Sequence, residues 1–277
     1  MLYVLLFLLP SSFFLHACIH LTRPIVKIAL VAPFEGRYRN VGYEVIYAVR
    51  LAVREANAAG GVAGYSIELL ALDDSGDAAA AVEQARKVAT DPQVVGVIGH
   101  WLGANTAAAA PEYEAAGLPL LATGYATDLP NTAFQLWLSE SPCPQVATAL
   151  CPESVEELRL LEAEGLLESE LVSVILSAPL PNDSTDPAFV ERYRAISNGI
   201  EPSFNAVLAY DAAHVLFEAI AHDVEANGKP TRAGVMTTLA HTEYTGLSGQ
   251  IRFDVVGDWA EVRGWAYAWK DGELVRP

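Results

Sequence analysis

VKIALVAPFEGRYRN (Val26–Asn40) opens the stretch that decides the fold, and that stretch runs to Thr127. VKIALVA (Val26–Ala32) is an apolar run of strand length and reads as a buried strand. GYEVIYAVRLAVREANAAGG (Gly42–Gly61) follows, with Val45, Ile46, Val49, Ala52, Val53 and Ala56 at helical spacing. Gly60 and Gly61 supply its stop. The alternation then repeats. SIELLAL (Ser66–Leu72), VVGVIG (Val94–Gly99) and LPLLAT (Leu118–Thr123) read as strands, DAAAAVEQARKVAT (Asp77–Thr90) and ANTAAAAPEYEAAG (Ala104–Gly117) as helices. Strand and helix alternating through short links predicts parallel βαβ units. In such sheets ligands bind beyond the carboxyl ends of the strands. Those ends are PFEGRYRN (Pro33–Asn40), DDSGD (Asp73–Asp77), HWLGAN (His100–Asn105) and GYATDLP (Gly124–Pro130).

The same stretch carries almost no catalytic chemistry. The chain has no G-x-S-x-G elbow, P-loop, H-E-x-x-H or C-x-x-C motif. Gly36 ends the first strand without G-x-G-x-x-G, which argues against a dinucleotide, and no cofactor or metal is expected. His214 and His222 share a predicted helix at a spacing too wide for the usual metal pair, and both read as partly exposed. Asp73 and Asp74 end the second strand and read as turn caps rather than a catalytic pair. The formal net charge of −17 argues against nucleic acid and anionic membrane surfaces, which call for basic patches. No enzymatic role is expected.

The ordered set VKIALVAPFEG, REANAAGGVAG, LLALDDSGD and VVGVIGHWLGANTAAAAPEYEAAGLPLLATG resembles the first lobe of the type I periplasmic binding proteins. The branch it is most similar to is the leucine/isoleucine/valine-binding family of ABC importers. A second block resembles that family's C-terminal part: FVERYRAI (Phe189–Ile196), AVLAYDAAHVLFEAI (Ala206–Ile220) and TGLSGQIRFDVVGDWAEVRGWAYAWKDGEL (Thr245–Leu274). The resemblance implies a doubly wound α/β fold. Family members are longer and close a second α/β lobe on the ligand like a clamshell. Between the two blocks only about 35 residues remain, where one βαβ unit alone takes about 30. The expectation is therefore a single ligand-binding lobe from 25–134 plus 171–277. Residues 135–170 would be the remnant of a strongly reduced second lobe, with one or two helices, Pro152 at a helix start and no sheet of its own.

The first residues, MLYVLLFLLPSSFFLHAC, are apolar and uncharged, and 1–18 reads as an export signal. Leu15-His16-Ala17-Cys18 resembles a lipobox, which would lipidate Cys18; an uncleaved membrane anchor is the other reading. The expected location is the periplasm or the outer face of the cell membrane, with membrane contact only through this N-terminal anchor. Cys143 and Cys151 are then left either to pair, as an oxidising compartment permits, or to remain free thiols.

The expected ligand site is the set of strand-end loops: Phe34 and Tyr38 at the rim, Trp101, Gly103, Ala104 and Asn105 after the third strand, Gly124, Tyr125, Ala126 and Thr127 after the fourth. A helix starts after His100–Asn105, so backbone N–H groups there can meet an anion. In the resembled family two hydroxyl residues also hold the ligand's carboxylate. The matching positions are Gly103, which has no hydroxyl, and Ala126, with Thr127 adjacent. Trp101 reads equally as pocket lining or as packing against the insert. The family's ammonium-binding acid lies in the missing lobe and has no counterpart.

Ser203 is expected to cap a helix over Phe204–Glu225, and Tyr210-Asp211 on it reads as packing and capping. Ser248–Phe253 and Val262–Trp269 read as strands joined through Gly257-Asp258. Trp265, Tyr267 and Trp269 share one face by period two, in the core or as a stripe for a partner. The function implied by the resemblance is capture of a branched-chain or related amino acid, or a small carboxylate, for an ABC permease. The alternatives are a one-lobed sensor or interaction module, and a decayed binding protein without ligand.

Overall fold

The computed structural model describes residues 23–138, 149–167, 172–260 and 262–277. The expected export signal with Cys18, and Cys143, lie outside the described residues.

Five strands form one parallel sheet: β1 (Ile25–Ala32), β2 (Ser66–Asp73), β3 (Val94–Ile98), β4 (Leu120–Ala122) and β5 (Ala133–Gln135), in the order β2-β1-β3-β4-β5. Helices α1 (Arg39–Ala58), α2 (Ala78–Ala89) and α3 (Gly103–Ala115) connect them. The side-chain period of a strand divides β1 between two cores. Val26, Ile28, Leu30 and Ala32 join α1 residues such as Val45 and Val49 on one face. Ala29 and Val31 join Ala81, Ala85, Val88 and Tyr113 of α2 and α3 on the other. A strand buried on both faces reads as an apolar run, as IALVA (Ile28–Ala32) does after Lys27.

The chain's later helices complete the first of these cores. α6 (Phe204–Asn227) packs along α1, and α7 (Arg232–Leu239) lies against β3. Ser203 caps α6, its hydroxyl accepting from Asn205 N–H. α6 is long and apolar enough to cross a membrane, yet most of its apolar surface is buried inside the molecule, as a core helix requires. The Arg232 guanidinium fixes α7 by donating to the carbonyls of Ala89, Asp91, Val94 and Ala116.

A second sheet has the order β11-β10-β7-β6, from β6 (Ala149–Leu150), β7 (Val172–Leu176), β10 (Trp265–Lys270) and β11 (Glu273–Val275). Here β10 runs antiparallel to β7 and β11, and β6 runs parallel to β7. This sheet corrects the expected division of the chain. Residues 172–176 and 265–275 do not extend the first sheet, and the reduced second lobe is not confined to 135–170. Its strands come from three separated places in the sequence, so no continuous segment announces it. α4 (Val155–Ala163) follows β6 and buries Leu158 completely, and α5 (Phe189–Arg194) packs on α1. α4 starts at Ser154, whose hydroxyl accepts from Glu157 N–H, rather than at Pro152.

The two strands expected on either side of Gly257-Asp258 lie in different sheets. β9 (Gly249–Ile251) pairs with β8 (Tyr244–Gly246), while β10 pairs in the second sheet. Tyr267 and Trp269 are buried and Trp265 is half-buried, so this aromatic row packs into the core rather than offering a stripe. The Tyr267 hydroxyl donates to Asp183 Oδ2 at 2.8 Å and accepts from Leu180 N–H at 3.0 Å.

Candidate functional site

The strand order turns back between β1 and β3, so the loops after those strands diverge and leave a crevice at their carboxyl ends. Three loops meet there. The one after β1 is pinned by Asp73, whose Oδ1 accepts from Phe34 N–H at 2.7 Å and Glu35 N–H at 3.2 Å. The Asp73 carboxyl is partly desolvated, yet hydrogen bonds from Ser75, Phe34 and Glu35 hold it below the usual carboxylate range. The loop after β3 is pinned by a fully buried row: Asp74 Oδ2 lies 2.6 Å from His100 Nδ1, and His100 Nε2 lies 3.1 Å from the Tyr113 hydroxyl. Structural duty for Asp73 and Asp74 therefore matches their sequence reading, and His100 is a support rather than a ligand. The loop after β4 is fixed by Ala126 N–H, which donates to the buried Gln135 Oε1 at 2.8 Å.

α3 begins at this crevice with Leu102 at its N-cap and no side chain capping it. Its first N–H groups therefore need an acceptor from elsewhere. Gly103 N–H donates to Glu153 Oε1 at 2.7 Å. Tyr125 N–H, from the loop after β4, bonds the same carboxylate. One side chain of the insert thus bridges two strand-end loops of the first lobe. Burial pushes the Glu153 carboxyl up to about 7, against the two backbone donors that favour its charge, with Glu157 raising it further. Close backbone packing leaves no room for more: a Cβ on Gly103 would lie 1.8 Å from the Tyr125 carbonyl oxygen and 2.9 Å from Glu153 Oε1. Gly124 is similarly enclosed, with a Cβ there 2.9 Å from the Trp101 carbonyl oxygen.

The ten residues expected at the site divide into groups. Gly103 and Tyr125 meet at the carboxylate. Tyr38, half-buried, faces the acidic side chains of the insert; burial raises its hydroxyl, with Glu157, Glu153 and Glu164 adding to the effect and Arg37 opposing it. Phe34 stands at the rim, its ring edge-on to Tyr43 at 6.3 Å. Ala104 and Thr127 are exposed, and Ala126 and Gly124 act through the backbone. Trp101 is fully buried in the core, so it shows no surface to a ligand, and Asn105 is buried in the first turn of α3. Trp101 Nε1 and Asn105 Nδ2 have no hydrogen-bond partner among the described residues. A cleft of about 340 Å³ lies to one side, between α1, α4 and the start of α6, lined by Asn40, Glu44, Glu156, Arg159 and Ser203 among others. It contains none of the ten. Sequence reasoning missed Glu153, although the neighbouring S-x-x-E of Ser154 and Glu157 is a readable helix start that places it just outside α4.

Residues 25–152 match the family described as periplasmic binding protein. This segment is similar to that family. Among curated proteins, the Leu/Ile/Val-binding protein homolog 7 of Brucella melitensis is 33% identical over 103 residues, covering 37% of this chain and 26% of the relative. The Leu/Ile/Val-binding protein of Escherichia coli K12 is 33% identical over 115 residues, covering 41% of this chain and 31% of the relative. The matched stretch thus spans about a third or less of those relatives' lengths. The fold extends further than the sequence match. The isoleucine-bound branched-chain amino acid binding protein LivJ of Streptococcus pneumoniae superposes with a TM-score of 0.69 at 20% identity, over 90% of this chain and 97% of that one. The leucine binding protein LivK of Thermotoga maritima does so with a TM-score of 0.70 at 19% identity, over 90% and 97%. The chain has the type I periplasmic-binding-protein fold with a reduced second lobe, and the matched family consists of binding proteins rather than enzymes. Cys151 is disulfide-bonded.

Proposed function

We propose that the chain is an exported substrate-binding protein, anchored through Cys18, that captures a branched-chain or related amino acid for an ABC permease. Phe34, Tyr38, Gly103, Ala104, Tyr125, Ala126 and Thr127 would surround the ligand, with Trp101, Asn105 and Gly124 holding the loops from behind. The observation that carries this reading is the pair of backbone donors, Gly103 N–H and Tyr125 N–H, converging on one carboxylate at the N-terminus of α3. A helix N-terminus favours negative charge, and two donors from different loops suit a planar carboxylate. The names of the relatives support amino acids as the ligand class.

The test is thermal melting of the protein against leucine, isoleucine, valine and small carboxylates. A binder of the native state raises stability by about 2.7 kcal/mol at about 100 times its Kd. A shift for one branched-chain amino acid and none for unrelated solutes is the expected outcome. A cooperative melt that no amino acid shifts contradicts the reading. A one-lobed sensor or interaction module is the second reading, favoured by the fact that the donors are already occupied from within the chain.

A further inference from the structure

An anion site at a helix start is ordinarily open to solvent until its ligand arrives. Here the acceptor is built in, and several features hold it in place. Glu153 N–H donates to Glu157 Oε2 at 2.7 Å, while Glu157 N–H donates to Ser154 Oγ at 3.2 Å. This reciprocal pair fixes the backbone of Glu153 at the entrance of α4. Cys151, two residues earlier, is tied by its disulfide. Leu158 is fully buried on the inner side of α4. On the outer side, Arg37 Nη2 meets Glu164 Oε1 at 3.0 Å and Asn40 Nδ2 donates to Glu156 Oε2 at 3.2 Å. These last two links join the insert to the loop after β1 and the start of α1.

We propose that Glu153 is an internal ligand: its carboxylate holds the two backbone donors that a free carboxylate would need, and the 151–164 clip must withdraw before ligand can enter. The proposal rests on the amino-acid-binding reading of this site and adds its regulation. The steric argument is direct. Gly103 N–H and Tyr125 N–H are each engaged, and the space beside Gly103 is already filled by the Tyr125 carbonyl and the Glu153 carboxylate. The electrostatic argument agrees. A second carboxylate approaching the seat would meet Glu153 and Glu157, with Glu164 nearby and Arg37 already paired to it. Like charges in a partly desolvated crevice repel strongly. Ligand affinity is then reduced by the fraction of molecules whose seat is free.

The experiment uses acetate as a bare carboxylate probe, read through the backbone amide resonances of Gly103 and Tyr125 in the full chain. In Glu153→Ala both resonances should move relative to the wild type, and acetate should move them back. The wild type should need at least about tenfold more acetate for a comparable response, which corresponds to a seat occupied from within about nine-tenths of the time. Equal acetate affinity in both proteins, or no response at either amide in the variant, overturns the proposal. Glu153→Asp guards against loss of fold, because it keeps the charge and the helix start but draws the carboxylate back by one methylene. It should bind acetate more tightly than the wild type, and an unchanged affinity again overturns the proposal. Leucine, isoleucine and valine are titrated alongside. A variant that takes acetate but no amino acid contradicts the functional reading and leaves the internal ligand standing. Amino-acid affinity that is unchanged by E153A contradicts the internal ligand and leaves the function standing.

Discussion

The first sheet and the second differ in how their strands lie along the chain. β1 to β5 occur in succession between Ile25 and Gln135, with a helix between most neighbours. The strands β6, β7, β10 and β11 are drawn from 149–150, 172–176 and 265–275, separated by α4 and by the long excursion through α5, α6 and α7. The first sheet needs only short-range crossovers, and its central strands β1 and β3 are buried on both faces. The second is a patch closed by late strands. The contrast teaches that a sheet of consecutive strands is announced along the sequence, whereas one assembled from distant strands is not, even though both pack into one continuous core.

Removing an interior support of the first lobe gives the largest expected effect. Trp101→Ala empties a fully buried position behind the seat and should cost about 3–5 kcal/mol in denaturant unfolding. A loss below about 1 kcal/mol would mean that the loop after β3 does not depend on its core packing. Leu158→Ala then asks whether the clip shares the first lobe's cooperativity. Leu158 belongs to the same continuous core as Ile28 and Val49, so the cost should be about 2–5 kcal/mol within a single transition. Two separate transitions would instead make the clip an independent unit and sharpen the contrast between the regions.

A smaller effect is expected from pH. The Glu44 carboxyl is pushed up to about 7 by burial, opposed by hydrogen bonds from Ser203 and Ala206 at the start of α6. Burial likewise raises Glu153 to about 7 and Asp211 to about 6. A carboxyl with a raised folded-state pKa favours the folded state at low pH and loses that advantage as pH rises through the folded value. The protein should therefore melt at a lower temperature at pH 8 than at pH 5, by at most about 1.4 kcal/mol per pH unit for each group. Glu44→Gln keeps an acceptor for α6 and should flatten the fall; an equally steep fall in the variant assigns it elsewhere. Below that range Asp73, Asp91, Asp183 and Asp186, all held low by hydrogen bonds or cationic partners, should weaken the fold as they protonate. The least effect belongs to Arg37→Ala. Its ion pair with Glu164 is more than half exposed, so stability should change by less than about 1 kcal/mol. A larger loss would show that the outer edge of the clip bears on the whole fold.

The same contrast explains what could be read in advance. The apolar run of β1, the amphipathic period of α1 and the glycine stops are local signals, and they placed the first sheet and its strand-end loops. Gly103 follows because a helix beginning after a buried strand presents N–H groups whatever its side chains are, whereas Tyr125 reads only as an aromatic that could line the pocket, and its N–H reaches Glu153 from the loop after β4. The pairing of the second sheet carried no local signal: the period of Trp265, Tyr267 and Trp269 marks β10 as a strand, but β6 is two residues long, and β10 finds β7 across about 90 residues of chain, a pairing that periodicity cannot express. Glu153 was hidden for the same reason. Nothing in PESVEEL says that its first carboxylate turns back onto Gly103, a long-range contact that exists only once α4 is seated. Trp101 shows the opposite error, since an aromatic in a strand-end loop suggests a pocket wall until its complete burial is seen.

Hydrogen exchange of the Gly103 and Tyr125 amides in the unliganded wild type tests the central claim most directly. If Glu153 occupies the seat, both amides exchange as slowly as those of the neighbouring strand β3, and replacing Glu153 with Ala releases them by at least about tenfold while β3 keeps its protection. If both amides exchange at free-loop rates in the wild type, the seat is open and the internal-ligand account is wrong.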